Sequence, residues 1–499
     1  MKVFTFLCVL FFLSLTGISQ QKVIEIKNLE WSIIPSQIND NNPSFLYYSR
    51  EPFKQSVGDV EASKVYIEPN EAIVLVAYRK DEYGVIRINA DGRVKWNTAI
   101  KGIPMKVALF GDKIIVITNA DFKTFGGFSK EYGIVEIDPS SGRLVASESL
   151  YKRTDDEYIK LLSSKNGSFF YVGISHDSGK KDATKGFSLL SLNDKLQLST
   201  PVTFKIDPSS TFRDCVADSK GDVYISTSLN EEDAMQVYCF SSSGEKKGMT
   251  LLPFNRKSKS IFNCRLFATD KTDNVYASLE YKNSDKVEAL ELYQLDFTNN
   301  KKKSSSTVVT KEFIKQKKEE IKAAGNATEK PHADDWNNLR IKAIVESGDN
   351  VLVLREAYAS SMNYVPNSAM SRSDEWTTSD AFLSVYSKDL KELTTVVIPK
   401  YMSLNFPMGY GSSIHIKGDK LYFVSAQLKP TTAILGILNL TTLAFEIETL
   451  PKQDISKADF PEPKATLWFD KNFLVDYIDP KNGITIKKIN TSLQKIEYE

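Results

Sequence analysis

The chain has 499 residues, 41% of them hydrophobic, with 64 Lys and Arg set against 63 Asp and Glu. A chain of this size buries an ample core without metal or disulfide support. A net charge of +1 supplies no global field that would steer it to nucleic acid or an anionic membrane.

Met1-Lys2 is followed by an apolar run from Val3 to Leu15, and then by Ser19, Gln20, Gln21 and Lys22. A short positive start ahead of an apolar run of this length reads as a secretory signal peptide over 1–20, not as a membrane span. Cys8 lies inside the run and lacks the small residues of a lipid-attachment site. No later apolar stretch is long enough to cross a bilayer, so the expected product is secreted or periplasmic, with no integral membrane segment after signal cleavage.

From about residue 62 one unit recurs: an alternating strand, a tight polar turn and a second alternating strand. It appears as GVIRINADGRVKW (84–96), GIVEIDPSSGRLVA (133–146) and FSLLSLNDKLQL (187–198), then as QVYCFSSSGEKKG (236–248) and ELYQLDFTNNKKK (291–303). FLSVYSKDLKEL (382–393), ILGILNLTTLAF (434–445) and GITIKKINTSLQKI (483–496) complete the series. The first turn residues are Asn89, Asp138, Asn193, Ser241, Asp296, Ser387, Asn439 and Asn490, at intervals of 49, 55, 48, 55, 91, 52 and 51. Asn, Asp and Ser suit such turns because their side chains cap nearby amides. A further strand pair precedes each hairpin, as in VALF (107–110), Gly111-Asp112 and KIIVITN (113–119).

Four antiparallel strands in roughly 50 residues form one blade of a β-propeller. The expected fold is all-β: a single propeller over 62–499, with eight four-stranded blades favoured over seven and over a pair of β-sandwiches. The first unit (about 62–101) and the last (465–499) both look complete. The segment 21–61 is left outside these units. Its QKVIEIKNLEW stretch (21–31) either adds a strand to the final blade and clasps the ring, or covers its rim. Residues 300–336 break the pattern as an insertion: a polar loop, then a helix over 311–325 with Phe313, Ile314 and Ile321 as its apolar stripe. A weak Lys315–Glu319 pair is expected on that helix, which is read as packing on the propeller's side.

YGVIRINADGRVKW (83–96) and YGIVEIDPSSGRLVA (132–146) resemble strands of the β-propeller superfamily, in the manner of exported bacterial quinoprotein-like members. There a strand enters a polar turn before G-x-x-x-W. That motif is present here from Gly92 to Trp96, and the other copies lack the tryptophan. The resemblance implies the fold, but no cofactor and no catalytic residues.

Within each unit the link from second to third strand is the long one, as in 119–132, 175–186, 229–235, 279–289 and, longest, 356–381. In a four-stranded meander these links emerge on one face, and elaboration confined to one face suits recognition. Tyr364 and Trp376 are the foremost candidate binding residues, with Tyr358, Phe125, Phe128, Tyr281 and His176 beside them. Glu231-Glu232-Asp233 and Asp374-Glu375 lack the alternating oxygen pattern of a calcium loop, and the cysteine and histidine spacing fits no zinc motif, so no metal is expected. His415, Arg213, Asp214 and Asn263 fall on innermost strands, where they would border the channel. Cys215 and Cys264 fall on adjacent innermost strands, as a disulfide or as two buried thiols. The expected function is that of an exported noncatalytic binding or assembly protein recognising a protein or glycan. The alternative is an extracytoplasmic glycan hydrolase or lyase with paired acids at the channel mouth.

Overall fold

The computed structural model describes residues 23–29, 32–33, 64–79, 82–119, 122–123, 127–128, 131–154, 157–164, 167–176, 186–204, 206, 210–229, 234–253, 260–269, 274–283, 286–324, 331–332, 336, 339–364, 372–404, 412–427, 432–450, 460–478 and 491–498. These residues form an eight-bladed propeller of four-stranded antiparallel sheets. Blades 2 to 7 each run consecutively from innermost to outermost strand, beginning with Ile103–Phe110, Glu157–Ser163, Ser210–Ala217, Ser260–Ala268, Leu339–Ser347 and Ser412–Lys417.

The seam between the chain ends is built differently. Blade 8 takes three strands from the C-terminal region (Phe460–Trp468, Asn472–Ile478 and Thr491–Glu497), and its outermost strand is Val23–Leu29, so the last unit is not complete in itself. Blade 1 has an inner strand in two pieces. Ser32–Ile33 pairs with Ala77 and Val76, and Lys64–Glu68 continues along the same strand, starting with Lys64 opposite Val74. A strand taken from the far end of the chain thus completes the last blade and closes the ring.

Middle strands such as Lys113–Asn119 and Glu71–Arg79 carry consecutive buried residues because both of their faces are covered. Eight separate apolar clusters fill the eight blade–blade interfaces. Between blades 8 and 1, for example, Leu467, Phe469, Leu474 and Leu493 meet Ala72, Val74, Val76, Ile86 and Ile88. Between blades 6 and 7, Leu352, Leu354 and Leu383 meet Leu421, Phe423 and Leu438.

The turn chemistry follows the sequence. The Asn89 Oδ1 accepts the amides of Asp91 and Arg93, that of Asp138 the amides of Ser140 and Ser141, and that of Asn439 the amides of Thr441 and Thr442. Asn490 lies outside the described residues. Each such turn then places a residue in the left-handed region, filled by Gly92, Gly142 and Gly244 in three blades but by Leu196, Leu390 and Leu443 in three others. That conformation costs a leucine about 1–2 kcal/mol. Leu196 and Leu390 offset it by burying their side chains in the clusters beside them, which contributes about 1.5–3 kcal/mol each.

The insertion starts later than its polarity suggests. Lys301–Val308 is the outermost strand of blade 5, and the excursion begins at Val309. Helix α1 (Lys311–Ala324) is capped by the Thr310 hydroxyl, which accepts the Phe313 amide at 3.1 Å. It belongs to an outer-to-inner strand connection, which emerges on the same face as the second-to-third strand links. It is therefore tethered at that face, at the junction of blades 5 and 6. Phe313, Ile314 and Ile321 pack there with Val309 against Trp336, Leu339, Ala357, Phe382 and Val397. The expected Lys315–Glu319 pair is not the one formed; Lys317 bonds Glu320 at 2.8 Å and the Thr395 carbonyl at 2.8 Å. Cys215, Cys239 and Cys264 are buried, and burial pushes the Cys239 and Cys264 thiols up to about 12.

Candidate functional site

On the loop-rich face, blade 6 stands apart. Within the segment expected to be a long loop, 356–364 and 372–381 continue the sheet. Its two middle strands, Asn350–Tyr364 and Arg372–Ser387, have 15 and 16 residues, against 7 and 6 in blade 3. β-Branched and aromatic residues on the returning strand (Trp376, Thr377, Thr378) favour this extension. The innermost strand accompanies the hairpin only as far as Leu339 opposite Ala357, whereas the outermost strand Glu392–Leu404 follows it up to Trp376. Among the described residues, no strand pairs with the channel-side edge of 358–364. That edge, about 20 Å long, reads Tyr-Ala-Ser-Ser-Met-Asn-Tyr, without the charge or proline that usually guards an open edge.

The register brings three of the candidate positions together. Tyr358 and Tyr364 share one alternation with Ser360, and Ser360 lies opposite Trp376, so positions 358, 364 and 376 fall on one face of the hairpin. Tyr281 lies near the end of the second strand of blade 5 (Asn274–Asn283), His176 ends the second strand of blade 3, and Phe128 pairs with Phe122 in a small separate hairpin. Phe125 lies outside the described residues. Glu280, next to Tyr281, is buried and accepts the Ile341 amide of blade 6 at 2.9 Å.

A buried polar base supports the hairpin, and its members carry no sequence signal of their own. Glu356, fully buried, bonds Lys400 at 2.9 Å and the Ser412 hydroxyl of blade 7. Burial alone would raise its pKa, but the charges of Lys400 and Lys342 outweigh that and hold it down to about 2. Asp380, also buried, accepts from Trp336 Nε1 at 2.6 Å, the His332 amide at 2.7 Å and the Lys400 amide at 3.2 Å. Here burial prevails over the three donors and pushes the carboxyl up to about 6. Asp380 thus ties α1's return segment to the root of the hairpin. Only the run Ala333-Asp334-Asp335-Trp336 hinted at this, since a tryptophan in a polar link needs a place to bury.

The opposite channel mouth holds a cavity of about 580 Å³ among the inner strands and short turns of blades 7, 8 and 1. His415 lines it, stacked on Trp468 (5.3 Å, 12°) and on Tyr498 (6.0 Å, 28°). Burial first, then the nearby Lys417 and Lys64 charges, hold the imidazole down to about 4, so it is neutral at pH 7. Lys64 donates to the Thr466 carbonyl at 2.6 Å, and Trp468 Nε1 donates to Ser413 at 2.7 Å. The two carboxylates of this mouth are matched to cations, Glu68 to Arg87 at 3.8 Å and Asp470 to Lys417 at 4.0 Å. Elsewhere around the inner strands, Asp214 receives Lys160 of blade 3 and the Leu266 amide of blade 5. The Asn263 side chain lies outside the described residues. Among the described residues, no group of three His, Cys, Asp or Glu side chains is placed to hold a metal.

Fold and site together define the class: an eight-bladed β-propeller with one blade raised above its loop-rich face. No protein-family model matches the chain, and no curated protein sequence matches it. Among solved structures it is similar to a prolyl endopeptidase at 10% identity and a TM-score of 0.44, covering 84% of this chain and 54% of that one. The chain thus spans about half the length of that enzyme. It is also similar to the WD40 domain of SCAP from fission yeast (9% identity, TM-score 0.41, 96% and 98% covered). A third likeness is to BamB from Moraxella catarrhalis (8%, TM-score 0.38, 96% and 98%). At these identities the likeness concerns architecture and says nothing of activity. Among the described residues no helix is long and apolar enough to cross a membrane.

Proposed function

We propose that this protein is an exported, noncatalytic binding or assembly module that holds an extended polypeptide of an extracytoplasmic partner along the edge of the blade 6 hairpin. The observation that carries this reading is the edge 358–364, uncovered among the described residues and continuous with a rigid blade. An open edge presents alternating N–H and C=O groups, which another polypeptide strand satisfies and a glycan does not. Tyr358, Tyr364 and Trp376, on one face of the same hairpin, supply the positions from which side-chain selectivity would come. Glu356, Lys400, Asp380 and Trp336 would keep the root of the hairpin fixed, so that little ordering is needed on binding. Export rests on the N-terminal signal-like segment.

The test is selection from a displayed random-peptide library and from a glycan array in parallel, using wild type, Met362→Pro and a Tyr364→Ala/Trp376→Ala double variant. Extended peptides are expected to be enriched by wild type. Met362→Pro, which disturbs the edge, and the double variant are each expected to weaken their binding at least tenfold without lowering the Tm of the propeller. Peptide binding that survives both changes, or glycan binding alone, overturns the reading.

A further inference from the structure

Helix α1 carries a feature that neither its docking nor the hairpin uses. Lys311, Lys315, Lys318 and Lys322 are all exposed. At about 100° per residue they fall within an arc of about 60°, and their spacings of four, three and four residues make a single file about 16 Å long. Ile314 and Glu319 share the shallow groove along this file. Among the described residues none of the four ammonium groups forms a salt bridge, although the Lys311 charge helps to hold the exposed Glu312 carboxyl below its usual range. The fifth lysine of this region behaves oppositely: Lys317 faces inward, is buried and is consumed by Glu320 and the Thr395 carbonyl. Like charges at i,i+4 destabilise an isolated helix. This one is held instead by its apolar stripe of Phe313, Ile314 and Ile321 against blade 6.

We propose that the lysine file of α1 is a docking site for a linear polyanionic polysaccharide with about one carboxylate per sugar. Charge complementarity sets the sign of the partner, and the shape of the file sets its form. Four cations in single file, about 4.5–6 Å apart along the axis, match a row of charges better than a plane of them. A bilayer surface would also meet Glu312 and Glu319, which flank the file on its solvent side, and among the described side chains of α1 no exposed apolar residue offers an anchor. Because the chain as a whole is nearly neutral, no global field adds to this local attraction. The site lies on the same face as the blade 6 hairpin but does not depend on it, so one partner can be lost without the other.

The experiment measures binding of polygalacturonate to the full chain at about 20, 150 and 500 mM NaCl, with neutral dextran, anionic-lipid vesicles and a duplex oligonucleotide as parallel probes. Lys315→Gln/Lys318→Gln/Lys322→Gln removes the file while keeping good helix formers. Lys195→Gln/Lys391→Gln/Lys471→Gln removes the same net charge from exposed positions on the opposite face. The expected result is binding to polygalacturonate that weakens steeply with salt, falls at least tenfold in the helix variant and is unchanged in the control variant. Dextran should not bind. Equal loss in both variants, absence of wild-type binding, or tighter binding to vesicles or to the duplex overturns the proposal. Circular dichroism of the helix variant must match wild type, and the peptide selection above reads the hairpin separately.

Discussion

The seam where the ring closes and the seam where α1 enters solve the same packing problem with opposite electrostatics. Near the first, His415 is clamped between Trp468 and Tyr498 and kept neutral, with a pKa held down to about 4 from an ordinary 6.5. At the second, Asp380 is enclosed by Trp336, His332 and Lys400 and pushed up to about 6 from an ordinary 3.8. The unfolded chain binds the His415 proton more readily, so that group's stabilising contribution is present above 6.5 and is lost as the pH falls towards 4. The folded chain binds the Asp380 proton more readily, so its contribution is present below 3.8 and is lost as the pH rises through 6. Acidification therefore loosens the closure region and tightens the helix clasp. Loss of hydration on burial has opposite consequences because one group is charged when protonated and the other when deprotonated.

The harshest way to break this comparison is to remove the closure strand. Deleting 23–33 takes away the outermost strand of blade 8 and part of the inner strand of blade 1. The Tm is expected to fall by more than about 10 °C, or soluble protein to be lost, by calorimetry and expression assay. Trp336→Ala attacks the other seam. It empties a fully buried indole site and removes a donor to Asp380, with an expected cost of about 3–5 kcal/mol. Protease cleavage is expected within 309–338 before any blade is cut. If both changes lower a single transition by similar amounts, the two seams are one cooperative unit.

The pH responses give a finer test. Between pH 7 and 5 the His415 contribution should decline by about 2 kcal/mol and the Asp380 contribution grow by about 1 kcal/mol. Measured by denaturant unfolding, Asp380→Asn should therefore lose stability more steeply on acidification than wild type, and His415→Gln less steeply. Parallel curves for all three proteins would remove the proposed contrast. The smallest effect belongs to the surface pair Lys495–Asp91 (2.7 Å), which bridges blades 8 and 1 but leaves Asp91 largely in water. Lys495→Ala should cost no more than about 0.5 kcal/mol, since exposed pairs are screened.

Much of the ring was legible before any coordinates. Strand alternation and turn residues repeat locally, and a turn such as Asn89 to Arg93 or Asp138 to Ser141 closes through side chains only a few positions away. The apolar stripe of α1 was visible for the same reason. The polar string 300–308 was not readable as a strand, because its pairing comes from Ala289 to Asp296 opposite it and not from its own composition. Likewise 356–364 and 372–381 looked like parts of a loop, since serine, threonine and charged residues tolerate both states and only the blade beneath extends them.

The sequence by itself therefore determined the number and kind of units, through contacts a few residues long. Tertiary structure alone decided which strand closes the ring, that α1 is tethered at the loop-rich face, and that the pKa values of Glu356 and Asp380 shift in opposite directions. Those outcomes depend on burial and on partners brought from tens to hundreds of residues away, such as Lys400 and Ser412 for Glu356, Trp336 for Asp380, and Ile496 for Val23. Burial and long-range pairing are properties of the closed ring, and no local pattern in the chain encodes them.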